Sequence, residues 1–218
     1  MIGLIAPAGP EKVALLPGCR IGAHLVESGV FEPESLAAWV EAVQPGKTVL
    51  DVGSYTGLYA IAAAKKGARA VAMEPMPHQR ARLRENVRLN KVEPLVNVVP
   101  MAASDKNGAI DLWFNPRVNL TSAASAVKGP GCDSFTVYGT QIDDLRLKDV
   151  AAIKIDAERH EVKVLRGAIK TITRDRPTLI IEVLDDRQRE EVKNVLPSFY
   201  RIAAVLDVRN VLLKPLGQ

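Results

Sequence analysis

Residues 47–75 constrain this chain more than any other stretch. Thr48-Val49-Leu50-Asp51-Val52 is a β-branched, apolar run held between Pro45-Gly46 and Gly53. That is the pattern of a strand buried on both faces of a parallel sheet. Gly53 and Gly57 bracket a tight turn. Leu58 to Lys66 reads as an Ala-rich helix with Leu58, Ile61, Ala62 and Lys65 on one side, stopping at Gly67. Ala68 to Met73 is a second strand, closed by Glu74-Pro75. Strand, glycine turn, helix, strand and acid together make a nucleotide-binding βαβ unit.

The residues narrow the choice of nucleotide. A dinucleotide fingerprint, G-x-G-x-x-G, needs its second glycine so that the backbone can approach a pyrophosphate. Counted from Gly53, the second and third glycines fall on Tyr55 and Leu58. A carboxylate at Asp51 would also repel a diphosphate. It suits a cationic ligand, and S-adenosylmethionine (SAM) carries an ammonium and a sulfonium with no phosphate. Glu74 lies 23 positions after Asp51 (74 − 51), near the roughly 20-residue spacing of a ribose-binding acid. No G-K-[ST] follows, which excludes a P-loop. The plainer alternative is that Asp51 and Glu74 only cap neighbouring helices.

At 218 residues the chain has the length of one domain with a full core. Its 47% hydrophobic and 25% charged content is that of a soluble globular protein. The net charge of +4 permits an anionic partner and demands none. Cys19 and Cys132, without a C-x-x-C, argue for a reducing compartment and against a zinc knuckle. The first 18 residues lack a basic n-region, and Pro7 and Pro10 interrupt their apolar stretch, so they make a poor signal peptide. No stretch has the length of a membrane span. A cytoplasmic location is the expectation.

In chain order, Lys12 to Leu16 reads as a short strand and Arg20 to Glu27 as an irregular element. Phe31 to Val43 is a helix, with Pro33 at its first position and Leu36, Trp39, Val40 and Val43 on one face. Pro77 to Asn90 is another, with Leu83 and Val87 inward and Arg80, Arg84 and Arg88 on a second face. That basic face reads as a solvated surface, or else as a nucleic-acid stripe. Leu95 to Val99 is the third core strand, followed by Ala102-Ala103-Ser104-Asp105. Ile110 to Phe114 should pair with Phe135 to Ile142. Residues 115–134 lack periodicity, and loops that long are often functional; a mobile flap over the site is expected there. Val150 to Ile155 is the fourth core strand, with a following helix burying Val162, Leu165, Ile169 and Ile172. Thr178 to Val183 is the fifth, and Arg187 to Leu196 a helix. Phe199 to Leu206 and Val211 to Lys214 form a terminal hairpin. These alternations give a three-layer α/β sheet. The expected organisation is one domain over residues 1–218, with 1–45 an N-terminal extension and helix.

Over Phe31 to Val183 the chain resembles the FkbM-type SAM-dependent methyltransferases. The resemblance rests on D-V-G-S-Y-T-G at 51–57, M-E-P-M-P at 73–77, A-A-S-D at 102–105, T-Q-I-D-D-L at 140–145, I-K-I-D-A-E at 153–158, L-R-G-A at 165–168 and R-P-T-L-I-I-E-V at 176–183. It implies the class I methyltransferase fold, with a mostly parallel sheet of seven strands ending in an antiparallel hairpin. It also implies O-methylation, often of sugar or natural-product hydroxyls. The cofactor-binding set is then Asp51, Gly53, Ser54, Tyr55, Gly57, Glu74, Pro75, Met76, Ala102 and Asp156. Two positions depart from the family. Ser54-Tyr55 stands where Ala-Asn is usual, and Arg159 stands where glycine is usual. Arg159 either recognises an acidic acceptor group or points to solvent.

Methyl transfer is an in-line displacement, helped by holding the acceptor close and by a base that takes a hydroxyl proton. Asp156, Glu158, His160, Glu161 and Glu182 lie at or near the carboxyl ends of adjacent strands and are the candidates, with Asp156 first. Acids in a first helical turn also stabilise the helix dipole whatever the chemistry. Asp156, Glu158 and His160 lack a further clear ligand, so no metal is expected. The expected partner is a small-molecule or glycan methyl acceptor, with no membrane. A nucleic-acid methyltransferase is the main alternative. The fourth strand, however, ends in Asp-Ala-Glu and not in the Asn-Pro-Pro-aromatic pattern of base-amine methylation. A SAM-binding module without turnover is the other alternative.

Overall fold

The computed structural model describes residues 4–8, 11–16, 31–114 and 131–217. The expected element at 20–27 and most of the expected flap, 115–130, lie outside them. The chain opens with a hairpin of β1 (Leu4–Ala8) and β2 (Glu11–Leu15). Then follow α1 (Pro33–Ala42), β3 (Thr48–Val52), α2 (Leu58–Lys65), β4 (Arg69–Met73), α3 (Pro77–Leu89) and β5 (Val96–Val99). A small unit of β6 (Ala102–Ala103), β7 (Gly108–Phe114) and β8 (Asp133–Thr140) interrupts the alternation. It gives way to β9 (Val150–Ile155), α4 (Glu161–Gly167), α5 (Ile169–Asp175), β10 (Thr178–Glu182), α6 (Asp186–Val195), β11 (Tyr200–Leu206) and β12 (Asn210–Pro215).

The central sheet has seven strands in the order β11-β12-β10-β9-β3-β4-β5. Its inner pairs are parallel, whereas β12 runs antiparallel to both β10 and β11. Every residue of β3 is buried, which is why that strand shows no polar alternation. One face of the sheet carries a core with Trp39, Ile61 and Leu83, the other a core with Ile153, Leu165 and Leu179. Val13 and Leu15 of β2 pack into the first of these. Asn86 of α3 and Asn90, its C-cap, accept from the Leu16 and Ala14 amides, anchoring the N-terminal hairpin. The expected pairing of 110–114 with 135–142 is present as β7 against β8.

The expected single helix after β9 is two. A Cβ at Gly167 would lie 1.8 Å from the Ser104 carbonyl oxygen, and the helix breaks beside this close approach. The buried face differs from the expected one: Val164, Leu165, Ala168 and Ile172 go inward, while Val162 and Ile169 stay half-buried. Helix α1 has no side-chain cap from its own N-cap, Glu32. The Asp207 carboxylate, from the turn between β11 and β12, accepts from the Ser35 amide at 2.7 Å and the Glu34 amide at 3.3 Å. Glu34 accepts in return from the Asp207 amide. This capping box is built between the two ends of the chain. Among the described residues no helix is long and apolar enough to cross a membrane.

Candidate active site

Connections leave β3 toward β4 on one side, and β9 leads to β10 on the other. The direction of winding therefore reverses between β3 and β9, where open α/β sheets hold their ligands. A cleft of about 370 Å³ opens there, at the carboxyl ends of the strands.

One half of the cleft is built by the turn after β3 and the end of β4. Position 53 must be glycine for the fold itself. Its φ is +76°, and a Cβ would lie 1.7 Å from the Asp156 carbonyl oxygen, so β3 and β9 close on each other through it. Ser54 Oγ donates to the Asp51 carbonyl and locks the turn. Asp51 is 2% exposed, and its Oδ2 accepts from the Ala60 amide in the first turn of α2 at 3.0 Å. Burial pushes its carboxyl up to about 7, against the pull of that amide and of Lys154. Glu74 accepts from the Tyr55 amide with Oε2 and the Met76 amide with Oε1, both at 2.9 Å. Burial raises it as well, to about 7. Both acids thus hold backbone amides, as the plainer alternative required, yet both also line the cleft.

A carboxylate has about four lone-pair sites, so Glu74 keeps acceptor capacity beyond its two amides. The lining from β3 and β4 carries Asp51 and Glu74 and no lysine or arginine. That donor and acceptor set fits a ligand with positive charge and hydroxyls, and does not fit a diphosphate. Beyond Glu74, Met76, Ala102, Ala103, Ile110 and Leu112 give the cleft an apolar end, suited to a purine ring. Arg80 donates to the Glu74 and Pro75 carbonyls at 3.1 and 2.8 Å. It braces the loop after β4, so Arg80 is not part of a free stripe of arginines on α3.

The other half comes from β9, β10 and the terminal hairpin. Asp156, Glu158, His160 and Glu182 all line it. The Glu182 carboxyl lies against that of Asp156 within hydrogen-bonding reach. Burial, with the Asp156 charge beside it, raises Glu182 to about 8. His160 Nε2 is 2.9 Å from Ser104 Oγ. Burial, with Lys163 nearby, lowers its ring to about 4. It is therefore neutral at pH 7 and a weak proton acceptor.

Several candidates take other roles. Gly57 does not line the cleft; with φ +88° it starts α2 and packs on Leu83. Glu161 is 1% exposed, accepts from the Ala157 and Arg159 amides and is held by Gln188. It fixes the turn that presents Glu158 and does not face the cleft. Arg159 is half-exposed, pairs with Asp185 at 3.4 Å and is not part of the cleft lining. Both departures from the family fall at left-handed positions: Tyr55 has φ +49° and Arg159 φ +75°. Asn and Gly, the usual residues there, adopt that conformation at least cost.

The lining also holds residues that motif reading passes over: Glu32, Tyr59, Lys154, Asp207, Arg209 and Asn210. Tyr59 donates its hydroxyl proton to Glu32 at 2.6 Å. The lysine inside I-K-I-D-A-E was the one available signal, being a charge in an otherwise apolar strand. Among the described residues, no group of three or more His, Cys, Asp and Glu side chains is arranged to hold a metal ion.

Comparison with known proteins identifies a family and a fold. The family model described as "Methyltransferase FkbM domain" matches residues 51–212. A ribosomal protein L11 methyltransferase of Bacillus cereus (strain Q1) is 36% identical over 97 residues, covering 42% of this chain and 30% of the relative. The chain thus spans under a third of the length of that curated relative. An FkbM methyltransferase structure from Methylobacillus flagellatus KT superposes with a TM-score of 0.56 at 18% identity, over 77% of this chain and 43% of the other. A ribosomal protein L11 methylase structure from Lactobacillus delbrueckii subsp. bulgaricus gives 0.55 at 16% identity, over 94% and 86%.

Proposed function

Because the chain belongs to the FkbM methyltransferase family, which implies SAM as methyl donor, we propose that it methylates a hydroxyl group on a sugar, glycan or natural-product small molecule. Asp156 is the base in this reading. The observation that carries it is the carboxyl pair of Asp156 and Glu182, which lines the same cleft as Asp51 and Glu74.

The chain's own residues divide the work. Asp51 and Glu74 hold the cofactor's cationic and ribose portions, and Ser54, Tyr55, Pro75, Met76 and Ala102 shape the rest of its seat. When bound, SAM supplies a methyl group on a positively charged sulfur. Asp156 sits at the end of a buried strand, so its position is set by the sheet. Its carboxylate would accept the acceptor's hydroxyl proton as the oxygen–methyl bond forms and the methyl–sulfur bond breaks, the electron pair staying on sulfur and the demethylated cofactor leaving as a neutral thioether. Glu158 orients the acceptor from the turn that Glu161 fixes. Glu182 shares its hydrogen bond with Asp156, and His160, tied to Ser104, fills the wall as a neutral ring.

The test is a screen of hydroxylated glycans and small molecules for labelled methyl transfer, followed by single-turnover rates. Asp156→Asn keeps the shape and removes the basicity. It should lower the rate by about 10²–10⁴ with little change in SAM affinity. Wild-type rates in both Asp156→Asn and Glu158→Gln would remove the base from this strand. Ribosomal protein L11 belongs in the same screen, because the curated relatives are named for it. Transfer to that protein alone would replace the small-molecule reading.

A further inference from the structure

Lys154 lies inside the site. It is 1% exposed, and a lysine is almost never that buried unless paired. Its Nζ donates to Asn210 Oδ1 at 3.0 Å and stands 5.4 Å from the centroid of the Tyr59 ring. Asp156 Oδ2 is 3.8 Å away. Sheet register explains the grouping. Lys154, on β9, and Asp156, the residue just past its end, are two apart, and their charged ends are 3.8 Å from each other. Lys154 pairs with Ile180 and Glu182 pairs with Asn210. Asp156, Glu182 and Asn210 therefore follow one another across the strand ends, with the ammonium beneath them. The other charged groups facing it are Glu32, from the start of α1, and Asp51 of β3.

We propose that Lys154 is the positioning residue of this site: clamped by Asn210 and Tyr59, its ammonium holds Asp156 as the ionised member of the Asp156–Glu182 pair and leaves the shared proton on Glu182. Among the described residues Asp156 is the carboxylate within ion-pair distance of Lys154. Burial acts to strip the lysine of its proton, but Asp156, Glu32, Glu182 and Asp51 outweigh it, so the amine stays charged. Glu182 is raised to about 8 by burial and by Asp156, so at neutral pH it donates to Asp156 and does not compete with it as a base. The lysine thus decides which of two neighbouring acids receives the acceptor's proton.

This inference rests on Asp156 being the base, but its test reads protons and not turnover. Aspartate and glutamate labelled at the side-chain carboxyl carbon are titrated by NMR in the full-length wild type, Lys154→Met and Glu182→Gln. The wild type should show two steps belonging to the pair. Loss of an opposite charge at this distance moves a carboxyl by about 1–3 units, so Lys154→Met should raise the lower step by at least one unit. A lower step that stays in place overturns the proposal. Should Lys154→Met fail to fold, Lys154→Gln takes its place with the same expected shift, and Glu182→Gln tests the proton's location separately. Neutral glutamine mimics protonated Glu182, so the one remaining step must coincide with the lower wild-type step. If it lies above that step, the proton resided on Asp156 and the assignment is wrong. The titration can fail while Asp156→Asn still abolishes transfer, and the reverse, so the two readings fall separately.

Discussion

Glu74 offers a contest between two effects whose winner can be measured. Two backbone amides, from Tyr55 and Met76, favour its charged form, while burial at 6% exposure disfavours it. Burial prevails and lifts the carboxyl from 4.5 to about 7. At about 1.36 kcal/mol per unit, the difference is about 3 kcal/mol. Because the folded value is raised, the contribution is fully present below pH 4.5 and is lost as pH rises through about 7. In that window the unfolded chain ionises Glu74 while the fold keeps it protonated. Stability therefore falls by about 1.4 kcal/mol per pH unit for this one proton. Asp51, raised from 3.8 to about 7, and Glu182, raised to about 8, fall in the same window, so the total slope of the wild type is steeper. The informative quantity is the difference between wild type and Glu74→Gln, in which one titrating proton is gone. Urea unfolding of the ligand-free protein at half-unit steps from pH 5 to 6.5 should give stability curves whose slopes differ by about one proton, the variant being the flatter. Parallel curves would refute the argument, and would mean that two amide hydrogen bonds hold Glu74 ionised despite its burial.

Removing the Glu74 carboxylate should also weaken cofactor binding. Hydrogen bonds to a charged group are worth about 1.5–3 kcal/mol, so calorimetry of Glu74→Ala should show SAM affinity roughly tenfold to a hundredfold lower; unchanged affinity removes Glu74 from the cofactor seat. Arg159→Gly relieves a left-handed residue at about 1–2 kcal/mol. It gives up glycine's extra chain entropy and an exposed ion pair that solvent screens. Thermal unfolding should find the variant as stable as the wild type or slightly more so, and a clear loss would show that the Asp185 contact outweighs the strain. Gly53→Ala, by contrast, forces a methyl onto the Asp156 carbonyl oxygen and should cost about 3 kcal/mol or more. A mild effect in denaturant unfolding would mean that β3 and β9 are not held as close as described.

The central βαβ unit was legible because its signals are local. A β-branched run, a glycine turn, an Ala-rich helix and an acid after the next strand all lie within residues 47–75, and periodicity reports such neighbours directly. The terminal hairpin and the pairing of β7 with β8 were legible for the same reason. Placing Asp156 and Glu182 at adjacent strand ends needed only the strand boundaries. What stayed hidden was decided between distant residues. The cap on α1 joins Ser35 to Asp207 across 172 positions, and the clamp on Lys154 joins it to Asn210 across 56. The break between α4 and α5 adjoins the Ser104 carbonyl, and the retirement of Glu161 depends on Gln188. A sequence shows which side chains are charged, but whether a charge is buried, and against which partner, follows from sheet register and from the approach of remote loops. Burial and neighbouring charges are also what set the ionisation of Asp51, Glu74, Lys154 and Glu182. The chain's sequence therefore determined which strand ends bear acids, and the tertiary structure decided which of those acids are buried and against which partners.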